Sequence, residues 1–238
     1  MKYSIIIPCY NEMNNINNLI HRITPLQNIY DLEYILVENG SKDNSKAYFR
    51  DTVEGKYAAI KVVYVDINRG YGYGLQQGMK VAEGDYIGWI HADLQVPPEE
   101  LMQFFDEIER NSPRGKLFLK GRRTNRSLFD LFFTNAQSVF NTCLFGRKMY
   151  DVGAVPVLFN KELLAESSID DMANDFSIEL YIYKEALRLG YQVIRFKVKL
   201  LIREKGNSSW NHGLRSKIKQ SKRIFCDSLK IKRGEKVL

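Results

Sequence analysis

A chain of 238 residues, 45% hydrophobic and 26% charged, is long enough to bury one large core and has no charge-free apolar run of membrane-spanning length. Its three cysteines, Cys9, Cys143 and Cys226, are odd in number and far apart, which argues against a disulfide-stapled secreted scaffold and for a reducing compartment. The net charge of +7 lies entirely in residues 213–238, which carry nine Lys or Arg against Asp227 and Glu235; an electroneutral body argues against a nucleic-acid partner, and a basic end suggests a tether to an anionic surface.

The chain enters a strand pattern at once, without an apolar signal region and cleavage site, so a cytoplasmic protein is expected. Runs rich in β-branched or aromatic residues predict strands over Tyr3–Cys9, Glu33–Glu38, Ile60–Asp66, Tyr86–Ile90, Leu117–Lys120 and Gln192–Val198. Between them, Ile16, Leu19, Ile20 and Ile23 follow the i, i+3, i+4, i+7 spacing of an amphipathic helix with Asn11 as its cap. Leu101, Phe104, Phe105 and Ile108 do so behind Pro97-Pro98 and two first-turn glutamates. Such alternation predicts an α/β fold, a mostly parallel sheet flanked by helices.

Gly70, Gly74, Gly78 and Ala82 recur every four residues. A helical glycine costs about 1 kcal/mol relative to alanine, so the stripe implies close backbone approach to the sheet or to a ligand. Tight packing explains the later glycines better than ligand contact does, and Arg69, ahead of the helix, is the expected diphosphate contact.

After the apolar run Tyr86 to Ile90 comes His91-Ala92-Asp93-Leu94-Gln95. If the extended backbone continues, His91, Asp93 and Gln95 point to one side at a strand's carboxyl end, where open α/β sheets bind ligands. Carboxylate and amide oxygens suit Mg²⁺ or Mn²⁺, and imidazole is tolerated by Mn²⁺. A plain polar loop is the alternative.

With Ile5-Ile6-Ile7-Pro8-Cys9-Tyr10-Asn11-Glu12, then Val37-Glu38-Asn39-Gly40-Ser41-Lys42-Asp43, then His91 to Gln95, residues 1–205 resemble the family 2 glycosyltransferases, most of all the dolichyl and polyprenyl phosphate mannose and glucose synthases. The resemblance implies a GT-A fold with a Rossmann-like nucleotide half and an acceptor half, followed by a basic amphipathic tail over 206–238. It implies inverting transfer from a UDP- or GDP-sugar to a lipid-linked or polyprenyl phosphate acceptor in glycan or cell-surface polysaccharide synthesis. Pro8, Tyr10, Glu12 and Glu38 would line the nucleotide pocket; Asp93 and Gln95 match the metal motif, with His91 in place of its first aspartate.

Lys120-Gly121-Arg122-Arg123 resembles the segment ahead of the acceptor site, with Arg122 and Arg123 on the acceptor side. Arg203-Glu204-Lys205-Gly206-Asn207-Ser208-Ser209 resembles the loop whose arginine holds the diphosphate. Asp175 is the candidate base for a hydroxyl acceptor, and equally a helix-start carboxylate; a phosphate acceptor is already an anion and needs no base. A nucleotide-binding scaffold with a degenerate metal site is the non-enzymatic alternative. No G-x-G-x-x-G follows the first strand, which disfavours a dehydrogenase.

Leu128-Phe129-Asp130-Leu131-Phe132-Phe133, flanked by Arg122, Arg123, Arg126, Arg147 and Lys148, suits a membrane interface, core packing or a homodimer contact. Leu214, Ile218, Phe225 and Leu229 share a helical face among the lysines of the tail. Any membrane contact is expected to be peripheral, at the cytoplasmic membrane.

Overall fold

The computed structural model describes residues 2–111, 115–203, 214–235 and 237. Seven strands, β1 (Tyr3–Cys9), β2 (Leu32–Asn39), β3 (Ile60–Val65), β4 (Tyr86–Trp89), β5 (Leu117–Thr124), β6 (Val157–Asn160) and β7 (Gln192–Lys199), form one sheet in the order β3-β2-β1-β4-β6-β5-β7. The helices are α1 (Met13–Ile23), α2 (Ser45–Tyr48), α3 (Tyr71–Val81), α4 (Met102–Arg110), α5 (Leu128–Phe145), α6 (Glu162–Ala165), α7 (Ile178–Arg188) and α8 (Leu214–Arg233). All six expected strands are present within two residues at one end or the other, except that β5 runs four residues further than the spacing predicts.

β1 pairs in parallel with β2 on one side and β4 on the other, and β2 with β3. Chain order therefore reverses at β1, and the crevice between the carboxyl ends of β1 and β4 is a topological switch point, the position where such sheets hold ligands. Both strands are buried on both faces, which is why they read as continuous apolar runs rather than alternating ones. β6, a four-residue strand after Val155-Pro156, lies antiparallel to both β4 and β5; β5 and β7 pair in parallel.

The glycine stripe packs as expected. A Cβ at Gly78 would strike the Ile6 side chain and one at Gly74 the Asn39 side chain, so these two let α3 lie directly on the sheet. Gly70 (φ 117°) and Gly72 abut the backbone of residues 173–175, and Tyr73 N–H donates to Asn174 O at 3.0 Å. Gln76 Nε2 adds bonds to the carbonyls of Met172 and Ala173.

Asn11 does not cap α1. It adopts a left-handed backbone (φ 55°) and bridges to the next loop, its Oδ1 accepting from Lys42 N–H at 2.8 Å, while the orphan N–H of Met13 is taken by Asp43 Oδ2.

The basic segment forms α8 and packs on α5. Phe225 meets Phe140 edge to face at 4.8 Å, Asp227, Ser228 and Ile231 are buried, and Ser177 Oγ donates to Asp227 Oδ2 at 2.7 Å. Ile218 and Leu229 are exposed, and the side chain of Leu214 lies outside the described residues. No helix among the described residues is long and apolar enough to cross a membrane.

Candidate active site

The carboxyl end of β1 delivers Glu12 and that of β4 delivers Asp93 to the switch point, and Arg203, brought back by the segment after β7, lies between them. Its guanidinium forms an ion pair with Glu12 and approaches Asp93 Oδ2 to 3.8 Å. The return is fixed by backbone pairing: Leu201 N–H donates to Gln95 O at 2.7 Å, and Gln95 Nε2 donates to Leu201 O. Burial pushes the Glu12 carboxyl up, against the pull of Asn15 and Arg203. Residues 204–210, the remainder of the arginine loop, lie outside the described residues.

His91, Asp93 and Gln95 converge, but not by strand alternation. β4 stops at Trp89, residues 92 and 93 make a turn, and Leu94 is left-handed (φ 59°), with Asp93 Oδ1 accepting from Gln95 N–H at 3.1 Å. The turn brings all three side chains into one cavity of about 550 Å³ together with Arg123, Arg126 and Arg203.

The far wall of that cavity comes from α5, α7 and α8, through Phe133, Thr134, Gln137, Leu180, Gln220, Ser221 and Ile224. It is thus charged at the β4 end and mixed toward α5 and α8, where Phe133 and Ile224 stand among Asp130, Thr134, Gln137, Gln220 and Ser221. Asp151, buried and left-handed (φ 43°), pairs with Arg123 and lies 3.5 Å from Arg126, whose Nη1 donates to Thr134. Burial raises the Asp151 carboxyl, but Arg123 and Arg126 more than reverse this and hold it below the usual carboxylate range. Asp130 also lines the cavity and draws on Arg126, so two guanidinium groups stand against two carboxylates.

Pro8, Tyr10, Glu38 and Arg69 do not line this cavity. Pro8 and Tyr10 are half-buried at the end of β1, and Arg69 is exposed, 5.2 Å above the Tyr73 ring. Glu38 is buried; its Oε1 accepts from Ser41 N–H at 2.7 Å, and its Oε2 has no hydrogen-bond partner among the described residues. Arg122 points to solvent over Tyr150 at 5.7 Å. Asp175 also lies outside the lining, its Oδ1 accepting from Ser177 N–H at 2.8 Å and its Oδ2 facing Arg223 Nε of α8 at 2.6 Å. That is the helix-start role, with α8 as the counter-charge.

The spacing of motifs gives no hint of Glu179 or Tyr71. Glu179, on α7, lines the cavity and pairs at 3.2 Å with Lys120, which is completely buried in β5 and also donates to Ala154 O. Tyr71, at the start of α3, stacks on Phe176 and lies edge to face with His91. Its hydroxyl is held far above the ordinary tyrosine range by burial and by Glu179.

A transferase from Pseudomonas fluorescens named for undecaprenyl-phosphate 4-deoxy-4-formamido-L-arabinose is 37% identical over 108 residues, covering 44% of this chain and 31% of that relative. Its namesake from Proteus mirabilis is 28% identical over 220 residues, covering 88% and 63%. A dodecaprenyl-phosphate galacturonate synthase from Rhizobium johnstonii is 27% identical over 172 residues, covering 70% and 50%. The chain thus spans between about a third and two thirds of the length of these curated relatives.

Among solved structures, glucosyl-3-phosphoglycerate synthase from Mycobacterium tuberculosis, in complex with Mn²⁺, UDP and glucosyl-3-phosphoglycerate, superposes with a TM-score of 0.71 at 19% identity, covering 98% of this chain and 80% of that one. That likeness is one of fold, and it is the GT-A fold. Residues 4–129, more than half of the chain and the part that carries β1, β4 and the turn after it, match the family described as Glycosyl transferase family 2. The chain belongs to that family.

Proposed function

We propose that this chain moves a sugar from a nucleoside diphosphate sugar, UDP- or GDP-linked, to a polyprenyl or other lipid-linked phosphate, with inversion at the anomeric carbon. The observation that carries this reading is the cavity itself, which holds Asp93 and Arg203 at the β4 end, Arg123 and Arg126 on its wall, and the apolar side chains of Phe133, Phe176, Leu180 and Ile224 among its lining. Such a site suits a diphosphate donor facing an amphiphilic anion. The names of the relatives from P. fluorescens and R. johnstonii support the acceptor class.

The donor set fits a divalent cation only in part. Among the described residues no three His, Cys, Asp or Glu side chains gather as a cage, so Asp93, the amide oxygen of Gln95 and the His91 ring would form an open shell that diphosphate oxygens complete. The ion, Mg²⁺ or Mn²⁺, would neutralise charge on the departing diphosphate. The solved neighbour's Mn²⁺ and UDP support both ion and donor class.

Arg203 stands where its guanidinium can exchange a carboxylate partner for phosphate oxygens, adding a second positive charge that grows in value as the leaving group forms. Arg123 and Arg126 hold the acceptor phosphate, which attacks as the anion it already is. Asp175, engaged by Arg223, is not needed as a base. A single displacement with no enzyme nucleophile inverts the anomeric centre.

The acceptor reading extends to the surface. Leu128, Phe132 and Val139 are 86%, 68% and 64% exposed along one stripe of α5, and Arg147 and Lys148, which follow the helix in the chain, are exposed as well. This is the composition of a face that rests on an anionic bilayer, a peripheral attachment.

The test has two arms. Thermal stability is measured with UDP, GDP, CMP and dTDP, with and without Mn²⁺ or Mg²⁺, because a ligand bound to the folded state raises the midpoint. Transfer is then followed from the stabilising nucleotide's sugar to a short polyprenyl phosphate and to the matching polyprenol. Stabilisation by one nucleotide plus metal and turnover on the phosphate alone are expected. No stabilisation by any nucleotide, or turnover on the alcohol, overturns the reading.

A further inference from the structure

A line of hydrogen bonds runs from the core to His91. Glu179, 3% exposed, receives Trp89 Nε1–H at 2.7 Å and the Tyr71 hydroxyl at 3.1 Å, both on Oε1, while Oε2 faces Lys120 Nζ at 3.2 Å. A carboxylate beside a buried ammonium offers only lone pairs, and a tyrosine hydroxyl has a single proton. That proton is therefore committed to Glu179. The hydroxyl oxygen lies 3.2 Å from His91 Nε2 and is left to accept, so Nε2 carries the ring hydrogen and the lone pair of the neutral imidazole sits on Nδ1. Ring contacts fix the orientation as well. Tyr71 is stacked on Phe176 at 4.9 Å and meets His91 at 5.3 Å and 88°.

We propose that Tyr71 and Glu179 are positioning residues that lock His91 as its Nε2–H tautomer and so reserve Nδ1 as a ligand for the divalent cation shared with Asp93. The inference rests on the donor-site reading above and accounts for an imidazole at a position where the site otherwise lacks a second carboxylate. A histidine whose far nitrogen donates to a fixed acceptor is oriented and made more basic at the near one, the arrangement by which outer partners tune a metal ligand. Lys120 balances Glu179, so the network adds no net charge to the cavity.

The test uses the full chain, ¹⁵N-labelled, without metal or nucleotide. Its three histidines give separate imidazole signals, and His91→Asn identifies that of His91 by its loss. Above the titration range of the ring, wild-type His91 shows the Nε2–H pattern alone, whereas Tyr71→Phe shows a mixture of tautomers. Titration calorimetry with Mn²⁺ in the presence of UDP shows a drop in metal affinity of roughly ten- to a hundredfold in Tyr71→Phe. A wild-type ring protonated on Nδ1, or a Tyr71→Phe protein with unchanged tautomer or unchanged Mn²⁺ affinity, overturns the positioning role alone. A wild-type protein that binds no Mn²⁺ overturns the donor-site reading and with it the ligand role of His91.

Discussion

Replacing Lys120 by Met keeps most of the straight apolar stem but deletes a charge from a fully buried position. Lys120 is fully buried and Glu179 nearly so, and burial lowers the lysine's proton affinity even with the carboxylate 3.2 Å away. Loss of Nζ leaves the carboxylate without its counter-charge, at a cost of about 3–5 kcal/mol, and leaves Ala154 O without its donor, a further ~1 kcal/mol. Against a total of about 5–15 kcal/mol for a domain, that is a large fraction.

The double variant Lys120→Met/Glu179→Gln should recover most of it. Both neutral donors, Trp89 and Tyr71, bond to Oε1, which an amide retains, and only the Oε2 side faces the lysine. Stability within about 2 kcal/mol of wild type is expected, because removing both charges also removes both desolvation penalties. Urea unfolding of the wild type and the two variants, with unchanged slopes, measures this. A loss below about 1 kcal/mol in the single variant, or a double variant no more stable than the single one, refutes the argument. The sign with pH is also set. The folded chain holds the Lys120 proton less tightly than the unfolded chain, so the penalty is complete below the folded value. It is relieved as pH rises toward about 10.4, a dependence that Lys120→Met lacks.

Asp93→Ala should abolish metal-dependent stabilisation by nucleotide while His91→Asp keeps or increases it, both read by thermal shift; retained stabilisation in the alanine variant places the ion elsewhere. Asp175→Asn should change turnover on a lipid phosphate by only a few-fold, whereas loss on the order of a hundredfold reinstates it as a general base. Glu33, buried against Ser4, is pushed up by burial but drawn down to about 2 by the Ser4 hydroxyl, the Glu83 N–H and Lys61. Its carboxylate therefore adds on the order of 2 kcal/mol above about pH 4.5, lost as pH falls through about 2, so Glu33→Gln should lower the urea midpoint at pH 7 and much less at pH 3. Leu128→Ser/Phe132→Ser should leave stability within about 0.5 kcal/mol and abolish cosedimentation with anionic vesicles; undiminished binding removes α5 from the membrane reading.

β1, β2 and β4 were legible because they are buried on both faces and so write nearly uninterrupted apolar runs. β6 was not: four residues behind a proline carry no periodicity, and an antiparallel strand wedged between β4 and β5 follows from tertiary packing alone. The metal-motif residues were found for a wrong local reason, since a left-handed Leu94 rather than strand alternation gathers them. Motif order pointed to Arg203, but not to the ion pair that ties it to Glu12 across 191 positions. Tyr71 and Glu179 were invisible, because a hydrogen bond between residues 108 apart leaves no pattern in a single sequence.

The glycines that open α3 have a mechanical meaning. At Gly70 and Gly72 two backbones touch with no side chain between them, and the same short stretch of chain goes on to form α7. A joint of that kind has no soft layer to absorb displacement, so α3 and α7 travel as one body. Slack in the site is then confined to its outer wall, where side chains of α5 and α8 interleave and can repack. On the proposed reading, acceptor preference can drift there under mutation without loosening the grip on the donor, whereas a single methyl at Gly72 strains the α3–α7 joint itself.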